Sequence, residues 1–273
     1  MSVELTAAQN TAEHSTSDGL IRPGTLRVIA GPCAVETEEQ LAATARVVKQ
    51  AGLGYLRGGA FKPRTSPSSF QGLGLAGLRI LSRVASDLDL RVVTEVLDPY
   101  DIDDVVEHAD VLQIGARNMA NFALLKRVGS ALRGTGRSVI LKRGFAATVD
   151  EWLLASEYIV RAGTPDVVLC ERGIRTFDTG TRFTLDFTGV VLAKRRSSLP
   201  VIVDPSHAAG RSDLVVPLAR IGVAAEADGL LIEVHHAPET ALCDGGQALT
   251  HPMLLQLRSE LKAAAAAAGR TVG

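Results

Sequence analysis

No apolar stretch in this 273-residue chain approaches the length of a membrane span, and the opening MSVELTAAQNTAEHSTSDG lacks the basic and apolar regions of a signal peptide. A cytoplasmic location is expected. Cysteine is scarce: Cys33, Cys170 and Cys243 cannot all pair, and a reducing compartment would keep them as thiols, so disulfides should not support the fold. Neither sign of charge is in excess. Lys and Arg number 29 against 30 Asp and Glu, a formal net charge of −1, which excludes global attraction to nucleic acid or to an acidic membrane surface. Any anionic ligand must therefore be drawn by local charge. Charge blocks and low-complexity linkers are also missing, so no internal domain boundary suggests itself. Only the ends differ: residues 1–24 read as a disordered polar tail and residues 265–273 as a frayed one, flanking a single domain over 25–264.

What is present is a repeat of apolar β-branched runs, at about residues 27–33, 55–59, 91–96, 111–115, 138–142, 167–171, 200–204 and 229–234, separated by segments of helical period. Eight strands alternating with eight helices predict an α/β protein folded as a (β/α)8 TIM barrel, and 46% hydrophobic content suffices for its core. The first helix opens at Thr37 with the capping-box pattern Thr-Glu-Glu-Gln and buries Leu41, Thr44, Ala45 and Val48. The fifth opens likewise at Thr148 with Glu151 and buries Trp152, Ala155, Ile159 and Val160, while the last begins near Pro252. Pro217, inside SDLVVPLARIG, should kink or delay the seventh. An open doubly wound sheet would show the same alternation, but it gathers its chemistry at one switch point. Here reactive residues follow nearly every strand, which favours a closed barrel whose strand ends share one mouth.

Six cations, Arg57, Lys62, Arg64, Arg117, Lys142 and Arg172, sit at or just past strand ends in a nearly neutral chain. Any one of them could merely cap a helix or pair with a carboxylate; six around one mouth point to a polyanionic substrate. Of the adjacent Lys142 and Arg143 only one should face the mouth, and Lys142 is favoured because Ile140, two residues earlier, suits the barrel lining. Cys33, His207, Glu233 and Asp244 form a second set. Singly, each has a bland reading as a small hydrophobe, a structural imidazole or a counterion. Together, one sulfur, one nitrogen and two oxygen donors match zinc, iron, manganese or cobalt better than calcium or magnesium. His235 and His236 compete for the imidazole role.

The strings AGPCAVE, LRGGAFKPRTSPSSFQGLG, QIGARNM, ILKRG, CERGIRTF, IVDPSHAAGR and ALCDGGQ, in this order between about residues 25 and 260, resemble 3-deoxy-7-phosphoheptulonate synthases of the short type I-beta form. The resemblance implies a (β/α)8 barrel that condenses phosphoenolpyruvate with erythrose 4-phosphate, the first step of the shikimate pathway, using a divalent metal, with manganese ahead of iron, cobalt or zinc. It implies metal ligation by Cys33, His207, Glu233 and Asp244, and phosphoenolpyruvate held by Arg57, Lys62, the backbone of Ala116, Arg117, Lys142 and Arg172. Arg64, Thr65 and Ser66 would receive the aldose phosphate, and Asp204 would lie beside the aldose hydroxyls. Lys62 is the first candidate for proton donor to the nascent alkoxide, with metal-bound water or His207 as competitors. The sister enzymes that use arabinose 5-phosphate share the barrel and cations but typically carry Lys-Ala-Asn-Arg where this chain has KPRTSP. A catalytically silent phosphometabolite-binding barrel is the reading from a different class.

The chain departs from the family pattern at Cys243, usually a serine, at Gly246, commonly a proline, at Phe183 within TRFTLD, where the family has TRNTLD, and at His236 within EVHHAP. Cys243 adjoins a proposed ligand and can alter metal preference or add an oxidation-sensitive thiol. A homo-oligomer, dimer or tetramer, is expected. Only about 25 residues precede the first strand, too few for a ferredoxin-like or chorismate-mutase regulatory domain. Feedback inhibition is therefore expected only through a separate partner such as chorismate mutase. Aromatic amino acids added to the pure protein should leave its rate unchanged; strong inhibition would contradict this.

Overall fold

The structure is a computed structural model that describes residues 19–164 and 166–273. Eight parallel strands form the barrel: β1 (Thr25–Gly31), β2 (Tyr55–Arg57), β3 (Arg91–Val96), β4 (Val111–Ile114), β5 (Ser138–Lys142), β6 (Val167–Glu171), β7 (Val201–Val203) and β8 (Gly229–Glu233). Each pairs with the next, β8 pairs with β1, and the Ile29–Tyr55 and Ala30–Leu56 register of β1 on β2 closes the ring. Closure excludes the open doubly wound sheet. The helices are α1 (Glu38–Gln50), α2 (Leu75–Asp87), α3 (Ile102–His108), α4 (Phe122–Ala131), α5 (Val149–Ala162), α6 (Phe187–Arg196), α7 (Pro205–Ala209), α8 (Val215–Ala224) and α9 (His251–Ala267). None of them is long and apolar enough to cross a membrane.

Because strand side chains alternate, each strand serves two cores. One face packs under the helices, as with Val28, Leu56, Leu112, Leu141 and Leu169. The other fills the barrel axis with Ile29, Tyr55, Val93, Ile140, Val168 and Leu231. The helices obey their local signals. Thr37 accepts from the Gln40 amide, and the Thr148–Glu151 capping box is complete in both directions. Pro217 delays its helix without kinking it: a 3-10 turn spans Ser212–Leu214, α8 starts at Val215, and the proline falls in the first turn, where a missing N–H costs nothing. The surprise is α7, a one-turn helix inserted directly after β7.

Both expected tails need correction where the structure describes them. Residues 1–18 lie outside the described residues, but Leu20 is buried among the axial side chains at the N-terminal end of the barrel. Its amide donates to Asp166 and its carbonyl accepts from Arg27 Nε at 2.9 Å. An open barrel floor would leave Ile29 and Tyr55 wet, and one leucine in a polar segment covers it. At the other end, Thr271–Val272 forms strand β9 parallel to β1, and the Val28 amide donates to the Gly273 carbonyl at 2.9 Å. Pairing of the free backbone groups of β1 explains why residues 265–273 are ordered. Leu20→Ala should lower the free energy of unfolding by about 2–4 kcal/mol, read from denaturant melts; an unchanged midpoint would show that Leu20 is not a plug.

Candidate active site

At the C-terminal end of the strands the axial positions change character. Two residues beyond Tyr55, Val93, Ile140, Ile202 and Leu231 stand Arg57, Glu95, Lys142, Asp204 and Glu233, so the alternation that builds the core also aims charge into the mouth. Loops add the rest. In DPSHAAG, Asp204 caps α7 by accepting from the His207 amide at 2.9 Å, Pro205 takes the first turn, and Gly210 ends the helix in the left-handed region. That single turn lifts His207 over β8. Gly59 permits the approach of the strand-2 loop, since a Cβ there would lie 2.6 Å from Lys62 Cδ and 2.8 Å from the Cys33 carbonyl oxygen. Asp244, a non-glycine residue at φ +53, is held left-handed.

These elements bring Cys33, His207, Glu233 and Asp244 together, with one donor atom from each lying within 4.8 Å of the others, close enough to hold one metal ion. The mixed sulfur, nitrogen and oxygen set fits a divalent transition metal. Glu233 is fully buried; Arg57 Nη1 donates to its Oε1 and Gln247 Nε2 to its Oε2, each at 2.6 Å. Burial pushes its carboxyl up, but His207, Arg57 and Lys62 outweigh this and hold it at about 2. Asp204 is also fully buried, with Lys142 Nζ and His207 Nδ1 each 2.7 Å from its Oδ2. Against its burial, His207 and Lys142 keep it well below the usual carboxylate range. Burial draws the His207 imidazole down, toward the neutral form that a metal requires.

Cys33 and Cys243 are both free, with sulfurs 3.1 Å apart. The hydrogen bond to Cys243, burial and the charge of Glu233 raise Cys33 well above the ordinary thiol range, whereas the bond from Cys33 draws Cys243 down. Arg64 Nη1 donates to Cys243 Sγ, and Lys62 Nζ to Cys33 Sγ and the Cys33 carbonyl at 3.0 Å each. Burial disfavours charge on Lys62, but the surrounding thiols and carboxylates raise it, so its ammonium keeps its proton.

Above this layer opens a cavity of about 260 Å³. Lys62, Arg64, Thr65, Ser66, Ala116, Arg117, Lys142 and Arg172 line it together with His207 and Asp244 of the ion cluster, and Arg117 Nη2 donates to Thr65 Oγ1 at 3.4 Å. Ten of the residues singled out from sequence thus face one space. Lys142 faces it as the alternation requires, while Arg143 turns outward to Glu171 and Asp186, each at 2.8 Å. Two expectations change. Arg57 lies beneath the cavity against Glu233, and Asp204, expected beside aldose hydroxyls, has both oxygens occupied by Lys142 and α7 and presents no surface. Neither His235 nor His236 joins the cluster: His235 Nδ1 accepts from the Ala237 amide and its ring lies against that of His236, tilted by 32°.

Sequence reading missed Gln247, Arg182 and Phe145. The first lies in the DGGQ string, where the 3-10 turn Gly245–Gln247 folds its amide back onto Glu233, a turn that two glycines after Asp244 foreshadow. Arg182, within the TRFTLD string, and Phe145, just after ILKRG, line the cavity from loops, and neither is read from sequence as a site residue.

A barrel mouth pairing a four-donor cluster with a cationic cavity accords with the protein comparisons. Residues 11–267 match the pattern of the DAHP synthetase I family. The chain belongs to that family. A Thermotoga maritima protein named phospho-2-dehydro-3-deoxyheptonate aldolase is 49% identical over 252 residues, covering 92% of this chain and 73% of that protein. The crystal structure of the Thermotoga maritima DAHP synthase superposes with a TM-score of 0.89 at 49% identity, over 93% of this chain and 73% of that one. A truncated form of 3-deoxy-D-arabino-heptulosonate 7-phosphate synthase from the same organism gives 0.86 at 46% identity, over 93% and 91%. A 2-dehydro-3-deoxyphosphooctonate aldolase of Syntrophotalea carbinolica is 32% identical over 253 residues, covering 86% of this chain and 88% of that protein.

Since Cys33 holds its proton in the metal-free state, ion uptake must release it, and affinity should rise with pH across the neutral range. Cobalt bound to the stripped protein should show near-ultraviolet sulfur-to-metal absorption that Cys33→Ser abolishes, with affinity falling by about tenfold or more. Persistence of that absorption in the variant would exclude Cys33 as a ligand.

Proposed function

We propose that this family member is a 3-deoxy-7-phosphoheptulonate synthase that joins phosphoenolpyruvate to erythrose 4-phosphate and releases phosphate. The observation that carries the reading is the placement of a thiol–imidazole–carboxylate cluster at one side of a cavity lined by Lys62, Arg64, Arg117, Lys142 and Arg172. Both substrates carry phosphate and one also a carboxylate, which accounts for Arg64, Arg117 and Arg172, none of which pairs with a carboxylate among the described residues. Arg117, Lys142 and Arg172 hold phosphoenolpyruvate, with the Ala116 backbone beside them, and Arg64, Thr65 and Ser66, which line the same cavity, take the aldose phosphate. The guanidinium forks suit bidentate contacts to both kinds of anion.

A divalent ion held by Cys33, His207, Glu233 and Asp244 would supply Lewis-acid polarisation of the aldose carbonyl. The protein's own part is alignment and proton transfer. C3 of the enol phosphate attacks the aldehyde carbon, and the charged Lys62 Nζ, on the cavity wall, donates a proton to the oxygen that becomes an alkoxide. Water then adds at C2, its released proton restoring the Lys62 ammonium, and the hemiketal phosphate collapses by C–O cleavage to the ketone and inorganic phosphate. Arg57 reaches the reaction through Glu233, whose carboxylate it fixes, and Asp204 through Lys142 and His207.

Relatives at about 30–33% identity bear the name 2-dehydro-3-deoxyphosphooctonate aldolase, so the five-carbon aldose is the competing substrate. The 49% relative and the KPRTS loop, which puts Arg64, Thr65 and Ser66 on the cavity wall, favour the four-carbon one. A cytoplasmic homo-oligomer belongs to the same reading; partly exposed Phe122 and Tyr158, stacked at 4.5 Å beside exposed Leu154, offer an apolar strip for association. Protein stripped with a chelator and reloaded with manganese should consume phosphoenolpyruvate with erythrose 4-phosphate and not with arabinose 5-phosphate, and Lys62→Ala should lower kcat by about 10²-fold or more. Preference for the five-carbon sugar would replace this reading with the sister activity.

A further inference from the structure

Arg172 is 4% exposed, yet it has no carboxylate within ion-pair distance among the described residues, and its only hydrogen bonds are long ones to backbone carbonyls of Gly173 and His207, at 3.5 and 3.4 Å. A buried guanidinium normally requires a carboxylate partner. Here it has two phenyl rings instead. Its central carbon lies 4.2 Å from the Phe183 centroid and 4.9 Å from that of Phe145, and the two rings stack on each other at 4.9 Å and 7°. Neither ring belongs to the hydrophobic clusters of the barrel, and both are only half-buried at the mouth. They are therefore not explained by core packing.

The backbone is arranged to bring them together. Phe145 follows β5, and its carbonyl accepts from the Arg175 amide at 2.7 Å. Phe183 lies in the loop between β6 and α6, bridged through Ile174 and Thr184, and its amide donates to the Ala208 carbonyl of α7 at 2.8 Å. Gly173, at φ +92, leaves the necessary room, because a Cβ there would stand 2.6 Å from Phe183 Cβ. Other cations share the pair: Arg117 and Arg175 lie 5.4 Å from the Phe145 ring and Arg182 lies 5.8 Å from Phe183. The negative faces of two rings thus partly offset the repulsion among four guanidinium groups before any anion arrives.

We propose that the Phe145–Phe183 stack is a positioning platform that holds Arg172 by cation–π contact and leaves its N–H donors available for the substrate anion. This rests on the proposed binding of phosphoenolpyruvate at Arg172. Aromatic faces fix the plane of the guanidinium without occupying its donors, whereas a carboxylate partner would compete directly with the ligand.

The test is equilibrium titration of phosphoenolpyruvate into the manganese-loaded protein, paired with steady-state rates and melting curves. Phe183→Leu and Phe145→Leu should each weaken phosphoenolpyruvate binding by about five- to tenfold, the scale of a desolvated cation–π contact. The KM for erythrose 4-phosphate and kcat should stay within about twofold, because the platform acts on anion binding alone. Phe183→Tyr should restore affinity, since it keeps the ring face. In an Arg172→Lys background, Phe183→Leu should add little further loss, because the platform works through the guanidinium. Unchanged affinity in both leucine variants, equal losses with Arg172 and with Lys at that position, or a matched fall in kcat and melting temperature would each overturn the proposal. Turnover by the wild type with erythrose 4-phosphate tests the function separately: a protein that binds phosphoenolpyruvate with this mutational pattern but never turns it over would leave the platform standing and remove the synthase reading.

Discussion

Everything at the barrel mouth depends on one buried ionic layer. Glu233 and Asp204, both fully buried, are held ionised by Arg57 and Lys142 from strands β2 and β5, and His207 lies against both carboxylates. A buried ion costs several kcal/mol unless its partners are placed well, and removing one partner from such a pair costs about 3–5 kcal/mol. The layer is therefore satisfied only in one arrangement of β2, β5, β7, β8 and α7. That arrangement is the one in which His207 and Glu233 stand beside Cys33 and Asp244.

The same bookkeeping of charge separates two kinds of cation. Arg57 and Lys142 neutralise the protein's own carboxylates, so they order the site. Arg117 and Arg172 have no ion pair among the described residues, so the protein leaves their charge unneutralised. Lys62 lies between the two groups: it is bound to Cys33 yet faces the cavity, where a retained proton can be delivered. A nearly neutral protein can in this way present a strongly cationic cavity.

The eight strands and the closed barrel were legible in the sequence because a buried parallel strand is a short apolar run and its register follows from alternation. Cys33, His207, Glu233 and the lining cations were legible because each sits at or just past the end of such a run, whereas Asp244 was legible only through the ALCDGGQ string. Other features depend on distances that no local pattern encodes. That Arg57 and Asp204 lie below the cavity follows from their pairing with Glu233 and with Lys142, contacts across 176 and 62 residues. Leu20 as a floor and Thr271–Val272 as a ninth strand depend on what the barrel leaves uncovered, which is a property of the closed fold and not of the polar segments that carry them. The short helix after β7 was legible in hindsight from its Asp-Pro start and Gly end, but it is too brief to carry a helical period.

The central claim is that this layer pre-arranges an ion site and an anion site side by side. The most direct measurement is anomalous diffraction from crystals of the protein soaked with manganese and phosphoenolpyruvate. The account predicts one anomalous peak enclosed by Cys33, His207, Glu233 and Asp244, with the phosphate and carboxylate of the ligand on Arg117, Lys142 and Arg172 and the Glu233–Arg57 and Asp204–Lys142 pairs intact. An ion bound elsewhere, or a ligand that draws Arg57 away from Glu233, would contradict it.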